Sequence, residues 1–172
     1  LHTSGTLTEQ DGITLLRTDA DNLAGFCVLP VPDDGLSLAT RTIYDSLFRI
    51  LDASPALHLY RMWNYVPFIN QETDKIENYR QFNVGRWDAF RARFGNHCNP
   101  NMPAASAVGI DEPKIAVAFL AGTGSVSYIE NPDQVPAYDY PSTYGPRPPS
   151  FSRCALIRHD NSDQSTAYLS GT

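Results

Sequence analysis

Cysteine is scarce in this chain of 172 residues, and the few present form no pattern. Cys27, Cys98 and Cys154 are odd in number, lie far apart and never form a C-x-x-C pair. A disulfide framework needs paired cysteines, and a structural zinc site needs four ligands at short spacings. His97 precedes Cys98, but two adjacent ligands do not make such a site. The scarcity therefore predicts free thiols, no metal and a reducing, cytoplasmic environment.

Long apolar runs and surplus positive charge are missing as well. No apolar stretch approaches the roughly 18 residues that span a bilayer, and the first residues do not resemble a secretion signal. The formal net charge is -6, which argues against nucleic acid or an anionic membrane as the main partner. With 42% hydrophobic and 19% charged residues, the composition is typical of one globular domain.

Familiar catalytic motifs are equally absent. No G-x-S-x-G elbow occurs, and neither the carboxylates nor the histidines pair at helical or strand spacing. The GTGSVS stretch at 122–127 lacks the third glycine of a phosphate-binding loop and precedes a predicted strand instead of a helix. We interpret it as a hairpin turn between two strands. The motifs thus give no support to a serine hydrolase, a nucleotide-binding protein or a metalloenzyme.

Hydrophobic periodicity, by contrast, predicts an ordered α+β fold. Helices are expected at 37–52, where Ser37 would cap the first turn, and at 75–94, where Gly95 follows the last turn. Apolar and β-branched runs predict strands at 12–17, 25–32, 56–67, 106–110, 114–122, 125–131, 154–159 and 165–171. The last two of these form a predicted hairpin. The order of the elements predicts a mixed sheet with both helices packed on the same face.

The most unusual part of the sequence is a proline-rich segment, which we define as residues 131–154. It contains six prolines, three tyrosines and two arginines. Each proline fixes its own φ and restricts the preceding residue, so the segment loses little entropy on ordering. Arginine and tyrosine on a rigid, irregular backbone suit a preorganised site for a small anion. The alternative is a structural cover, in which the tyrosines only plug the edge of the sheet.

Arginines outside this segment lead to further hypotheses. Arg61 lies on a strongly apolar strand, so it needs either a carboxylate partner or a ligand. Arg80 and Arg86 lie on the second predicted helix, where the simplest interpretation is that they are solvated and cover apolar surface with their stems. All three could also pair within the fold.

Several segments of the chain resemble the chorismatase family in their order and approximate spacing. They are RMWNYVPFIN (61–70), ENYRQFNVGRWDAF (77–90), MPAASAVGI (102–110), the stretch 130–154 and the final YLSGT (168–172). The YGPRPPSFSR block at 144–153 is the most specific of these. The resemblance runs from about residue 57 to the end, and residues 1–56 match only in their organisation.

The resemblance implies an enzyme that removes pyruvate from chorismate without a metal or an organic cofactor. The product would be a dihydroxycyclohexadiene carboxylate or a hydroxybenzoate. The resemblance also implies two halves, each similar to the small RidA-type (chorismate-mutase-like) α+β domain. Residues 1–172 would form the N-terminal half as a single domain. The C-terminal half of the same protein would supply the glutamate that protonates the substrate, so this chain would hold no catalytic acid and would be inactive alone.

Chorismate carries two carboxylates, so the resemblance favours arginine forks and tyrosine rings as substrate contacts. We predict Arg153 and Tyr144 as the first contacts, followed by Arg147 and Tyr140. Asp133 stands where the family tends to have arginine, and no anion-binding role is assigned to it. Two other functions stay open: a RidA-like small-molecule-binding or deaminase domain, and a non-catalytic interaction domain.

Overall fold

The computed structural model describes residues 5–18, 22–32, 35–159 and 163–171, which form two helices and eleven strands. In chain order these are β1 (Gly5–Gln10), β2 (Ile13–Thr18), β3 (Leu23–Pro30), α1 (Leu36–Asp52), β4 (His58–Pro67), β5 (Glu72–Thr73), β6 (Ile76–Glu77), α2 (Asn78–Phe94), β7 (Ala104–Ile110), β8 (Lys114–Gly122), β9 (Ser125–Ile129), β10 (Cys154–Arg158) and β11 (Ser165–Leu169). The predicted α+β class and both predicted helices are confirmed.

A mixed six-stranded sheet forms the centre of the fold, with the strand order β1-β2-β3-β8-β4-β7. Its pairs are antiparallel except for β4 and β7, which run parallel and are connected through α2. Parallel neighbours need a crossover connection, and α2 is that crossover. The helix therefore lies across one face of the sheet, next to the edge strand β7.

Both helices pack on the same face of this sheet, as predicted. Ile43 and Leu47 of α1 and Phe82 and Phe90 of α2 are buried in one cluster with Phe119 of β8. These apolar residues recur at helical spacing along each helix, so each helix turns one apolar stripe toward the sheet. Burial of this stripe is the main source of stability for the two helices.

The two helices also lie unusually close to each other at Gly85. A Cβ atom at this position of α2 would lie 2.1 Å from the carbonyl oxygen of Ser37 in α1. No Cβ fits at that distance, so the close approach of the helices depends on glycine. Gly85 thus sets the spacing between α1 and α2.

The beginnings of the two helices differ from the prediction. Helix α1 begins at Leu36, and Ser37 lies inside its first turn, so the predicted Ser37 cap is wrong. Helix α2 begins at Asn78 instead of residue 75, because residues 75–77 belong to the turn and strand of the β5–β6 hairpin. The backbone of Lys75 has a φ of 66°, which is incompatible with a helix start there.

Strand β1 is not predicted by the sequence analysis. All its residues are exposed, so it lacks the apolar alternation that marks a half-buried strand. It pairs with β2 through a tight turn at Asp11 and Gly12, whose φ values are 51° and 76°. An Asp-Gly pair between two strands is a strong hairpin signal, and it is the signal that could have revealed β1.

Strands β9, β10 and β11 form a separate antiparallel sheet in the order β11-β10-β9. The pairing of β10 with β11 confirms the predicted hairpin, although its residues 160–162 lie outside the described ones. The hairpin turn predicted at 122–127 is wrong, because β9 pairs with β10 and not with β8. Instead, the Gly124 amide donates to the hydroxyl oxygen of Tyr60 at 2.9 Å, where the chain passes from one sheet to the other.

The proline-rich segment is packed against the rest of the fold. It contains two short 3-10 turns at Ala137–Asp139 and Ser142–Tyr144. Ala137 is fully buried, and Phe151 packs against the main core. Ser152 forms a parallel bridge with Ala104, so the end of the segment lies beside the edge strand β7.

Candidate functional site

A cleft of about 340 Å³, which we call the main cleft, lies between α2, β7 and the proline-rich segment. Its volume falls within the roughly 300 to 1,000 Å³ of small-molecule sites. Most of its lining is contributed by Tyr79, Phe82, Asn83 and Arg86 of α2, by residues 105–107 of β7, and by Tyr140, Ser150, Phe151 and Arg153 of the proline-rich segment. Apolar rings and polar groups thus share the walls of the cleft.

Arg86 is the most deeply buried charged residue of the main cleft, with 2% of its surface exposed. It lies one helical turn after Phe82 and one before Phe90, on the apolar face of α2. Its guanidinium carbon lies 5.3 Å from the ring centre of Tyr44 and 5.5 Å from that of Phe90. Within the described ranges, no carboxylate forms an ion pair with Arg86, and its Nε has no hydrogen-bond partner. Burial lowers the pKa of this guanidinium.

Arg61 of β4 is a second buried arginine, 7% exposed. It donates to the carbonyl oxygen of Met62 at 2.8 Å and to the hydroxyl oxygen of Ser106, and its guanidinium carbon lies 5.0 Å from the Trp63 ring centre. Burial lowers the pKa of Arg61, and the charge of Arg86 lowers it further.

The carboxylate partner predicted as one alternative for Arg61 is not found in the described part of the chain. Its hydrogen bonds go to neutral groups instead. Arg61 does not line the main cleft itself, but Ser106, which accepts its hydrogen bond, does. Arg61 therefore supports the wall of the cleft.

Arg153 stands where the main cleft meets a second cleft of about 650 Å³. Its Nη2 donates to the Tyr140 hydroxyl oxygen at 3.0 Å, and its guanidinium carbon lies 5.3 Å from the Phe151 ring centre. Tyr140 and Tyr144 line the second cleft together with Arg153, and their ring centres are 5.8 Å apart. The structure thus brings together three of the four residues predicted as substrate contacts.

Arg147, the fourth predicted contact, lies apart from both clefts. Its Nε is 3.8 Å from a carboxylate oxygen of Asp88, and its side chain is 52% exposed. Arg80 is also on the surface side of α2, where its Nε lies 3.3 Å from a carboxylate oxygen of Glu77. Glu77, which is one of the residues that line the main cleft, therefore has its charge partly neutralised by Arg80.

Glu130 directly precedes the proline-rich segment and lies beside Arg153. Both of its carboxylate oxygens are buried, and neither makes a well-formed hydrogen bond within the described ranges, although the Tyr138 hydroxyl and the Arg153 amide are close by. Burial raises the pKa of Glu130, and the positive charge of Arg153 opposes the rise. The fold thus keeps the pKa of Glu130 above that of an exposed carboxyl group.

Of the two hypotheses that the sequence leaves open for Arg86, a solvated helix arginine and an arginine paired within the fold, the first is wrong because Arg86 is buried. Phe82 and Phe90 lie four residues to either side of it, so helical spacing alone places Arg86 at the centre of the apolar stripe. That spacing is the signal that could have found it. A charged residue in the middle of an apolar stripe needs a partner, and in this position the main cleft is next to it.

Two further structural features bear on function. The described residues contain no cluster of three or more histidine, cysteine, aspartate or glutamate side chains that could hold a metal ion. A helix with both the length and the apolar character needed to cross a membrane is not found among them either.

Comparison with known proteins gives consistent matches. The sequence profile of the family described as "Chorismatase FkbO/Hyg5-like, N-terminal" matches residues 2–121. The match includes residues 2–56, so the similarity extends further toward the N-terminus than the sequence analysis predicts.

Curated relatives from Streptomyces hygroscopicus include a 3-hydroxybenzoate synthase, 37% identical over 172 residues, and a chorismatase, 40% identical over 150 residues. The first alignment covers 95% of this chain and 48% of the relative, and the second covers 86% and 42%. A crystal structure of a chorismatase superposes with a TM-score of 0.84 at 34% identity, covering 95% of this chain and 48% of that one. The chain thus spans about half the length of the relatives it matches. On this evidence the chain belongs to the FkbO/Hyg5-like chorismatase family and corresponds to its N-terminal part.

Proposed function

We propose that this chain forms the N-terminal half of a chorismatase, an enzyme that removes pyruvate from chorismate to give a dihydroxycyclohexadiene carboxylate or a hydroxybenzoate. The observation that carries the proposal is the main cleft, which is lined by Arg86 and Arg153. Neither arginine forms an ion pair with a carboxylate of the described residues. Glu130 lies near Arg153 without forming an ion pair with it, and a substrate with two carboxylates would supply direct carboxylate partners for both arginines.

Chorismate fits the residue types of the two clefts. Its carboxylates suit the planar forks of arginine, and its ring suits the apolar walls made by Phe82 and Phe151. Protonation of the enol-ether methylene carbon produces an oxocarbenium ion at the neighbouring carbon. Water adds to that carbon, and collapse of the resulting hemiketal releases pyruvate and leaves the ring hydroxyl. Fixed cations that hold the two carboxylates orient the substrate for this proton transfer.

Arg153, Tyr140 and Tyr144 are the substrate contacts that we propose from this half. Arg153 already has one donor group fixed by Tyr140, whereas its Nε is buried without a hydrogen-bond partner among the described residues. Tyr144 offers an exposed ring and hydroxyl at the opening of the second cleft. Arg147 would have to leave Asp88 in order to reach either cleft, so we place it below the other three.

The catalytic acid in this proposal comes from a C-terminal half of the same protein. Residues 1–172 would act as one RidA-type domain, and a second domain of the same kind would close over the clefts. The coverage of about half of each relative supports this arrangement. The chemistry requires a proton donor and fixed cations, and we assign it no metal and no organic cofactor.

Pyruvate release tests the proposal directly. Lactate dehydrogenase and NADH report the pyruvate formed from chorismate, and the full-length 3-hydroxybenzoate synthase of S. hygroscopicus serves as the positive control. The 172-residue chain alone is expected to stay at background. The same chain extended by the C-terminal half of that relative is expected to release pyruvate. Turnover by the chain alone would contradict the assignment of the catalytic acid to the C-terminal half. Inactivity of an extended, folded protein would contradict the proposed function.

A further inference from the structure

We propose that Arg86 is a carboxylate anchor, whose buried guanidinium binds the carboxylate of a cyclic ligand at the floor of the main cleft. This inference deepens the proposed function. It rests on that function only for the identity of the ring that carries the ligand's carboxylate. The carboxylate chemistry follows from the cleft itself, through burial, missing partners and charge.

Two polar groups in the lining of the main cleft are buried without partners. The Nε of Arg86 and the hydroxyl oxygen of Ser150 have no hydrogen-bond partner among the described residues, and both residues are at least 98% buried. Native proteins rarely leave such groups unpaired, and each unpaired group raises the free energy of the folded state. Ligand oxygens that accept a hydrogen bond from each of these donors would satisfy them.

The charge balance around Arg86 favours an anion. Arg61 is a second buried arginine, and the positive charge of Arg86 is close enough to lower the pKa of Arg61. The one carboxylate in the lining of the main cleft is Glu77, which forms an ion pair with Arg80 at the surface. Two buried cations without a buried carboxylate partner in the described chain leave a net positive charge in a low-dielectric region. A bound carboxylate would compensate it.

The shape of the main cleft favours a carboxylate on a ring. Phe82, Phe151 and Ile69 supply apolar surface, and Asn83 adds an amide. A small anion such as phosphate would leave these apolar walls exposed to water, whereas a cyclic carboxylate would cover them. A planar guanidinium also matches the two oxygens of a carboxylate in a bidentate arrangement.

A purely structural role for Arg86 makes the opposite prediction about stability. In that case the contacts with the rings of Tyr44 and Phe90 hold the charge in place, and loss of the arginine lowers the melting temperature. If Arg86 is instead kept for a ligand, its charge is uncompensated in the free protein. Replacing it by an apolar side chain of similar length should then raise the melting temperature while abolishing ligand binding.

The test uses the 172-residue chain, the variant Arg86→Met and two probes. The probes are 3-hydroxybenzoate and 3-hydroxybenzamide, which share the ring and differ in the charge of the substituent. Isothermal titration calorimetry measures affinity, and scanning calorimetry measures Tm. We expect the unmodified chain to bind the benzoate in preference to the benzamide. We expect Arg86→Met to weaken benzoate binding by at least about thirtyfold and to raise Tm.

Arg93→Met is the matched control. Arg93 is also a partly buried arginine of α2, but it forms an ion pair with Asp52 at 2.9 Å and donates to the Phe48 carbonyl oxygen at 2.8 Å. Its loss should lower Tm and leave benzoate affinity unchanged. This control separates the general effect of removing a helix arginine from the specific effect at the main cleft.

Four results would overturn the inference: equal affinity for benzoate and benzamide, no benzoate binding at millimolar concentration, unchanged benzoate affinity in Arg86→Met, or a lower Tm of Arg86→Met. If Arg86→Met does not fold, Arg86→Lys replaces it, because lysine keeps the charge but lacks the planar fork. Unchanged benzoate affinity of Arg86→Lys would overturn the inference as well. The two proposals fail separately. Absence of pyruvate release with intact Arg86-dependent benzoate binding contradicts only the proposed function. Unchanged kcat/KM in an active extended enzyme carrying Arg86→Met contradicts only the anchor.

Discussion

Arg153 donates a hydrogen bond from Nη2 to the hydroxyl oxygen of Tyr140, which is 3.0 Å away and 13 residues earlier in the chain. Both residues belong to the proline-rich segment, so the bond ties its end to its middle. It also fixes the Arg153 guanidinium over the Phe151 ring, at the junction of the two clefts. A side chain held in this way loses little entropy when it binds a ligand.

Arg153→Ala in a full-length enzyme should damage catalysis far more than folding. Loss of a bidentate carboxylate contact typically costs about 2 to 5 kcal/mol when the partner charge is desolvated. This corresponds to a fall in kcat/KM of roughly thirtyfold to several thousandfold. Arg153→Lys should restore little of it, because an ammonium group cannot reproduce the fork. Steady-state kinetics and Tm are measured on the same preparation.

Arg147→Ala is the control for this experiment, because Arg147 is paired with Asp88 on the surface and should affect kcat/KM only slightly. A structural role for Arg153 would appear as a lower Tm with nearly unchanged kcat/KM in the folded fraction. Tyr140→Phe, which removes only the hydroxyl group that Arg153 contacts, would then lower Tm in the same way.

Glu130→Gln should stabilise the protein at alkaline pH and not at acidic pH. Because the fold raises the pKa of Glu130, the folded state holds this proton more tightly than the unfolded chain does. The resulting stability is complete below the ordinary carboxyl pKa of 4.5 and is lost as the pH rises through the raised value. Glutamine resembles the protonated acid and has no charge, so the Glu130→Gln variant does not lose this stability as the pH rises. Scanning calorimetry at pH 4 and pH 8 should show the Tm difference only at pH 8.

Glu112→Gln provides the comparison, since it removes an exposed carboxylate that lies 3.5 Å from Lys114. An exposed ion pair contributes little, so its Tm should stay close to that of the unmodified protein at both pH values. A Glu130→Gln variant that is less stable at pH 8 would show that the attraction between Glu130 and Arg153 outweighs the cost of burial.

Gly85→Ala should destabilise the fold even though alanine favours helices. Helix propensity alone would stabilise the variant by about 1 kcal/mol. The added Cβ would lie 2.1 Å from the Ser37 carbonyl oxygen, however, and overpacking of this kind costs about 1 to 3 kcal/mol or more. We therefore expect a lower free energy of unfolding in urea. Ala92→Gly is the control, because it changes helix propensity at an exposed position of the same helix. A Gly85→Ala variant of increased stability would contradict the prediction and show that the helices can separate freely.

The elements with strong periodicity were predictable, and those without it were not. The buried residues of α1, such as Ile43 and Leu47, recur at helical spacing, and this pattern is visible in the sequence. Strand β1 has no buried face, so only its Asp-Gly turn marks it. The separation of β9, β10 and β11 from the six-stranded sheet depends on which strand pairs with β10, and local sequence contains no information about that long-range pairing.

The candidate site shows the same limit. Arg153, Tyr140 and Tyr144 are close in sequence, so the proline-rich segment predicts their proximity. Arg86 reaches the same cleft from a helix that is distant in sequence. Arginine is common on the solvent-facing side of helices, so its residue type alone does not indicate burial. The position of Arg86 between Phe82 and Phe90 at helical spacing indicates its burial, but the main cleft beside it depends on β7 and the proline-rich segment, which the spacing does not reveal.

The position of the proline-rich segment beside β7 has a consequence for solubility. An edge strand offers unpaired amide and carbonyl groups on which another chain can add a strand and begin to aggregate. Part of the β7 edge is already occupied, since Ser152 bridges Ala104 and the Ala105 amide donates to the Ser170 hydroxyl oxygen. The neighbouring prolines lack amide hydrogens and cannot extend a hydrogen-bonded ladder. The segment that shapes the clefts therefore also protects this edge of the sheet from strand addition, together with Ser170.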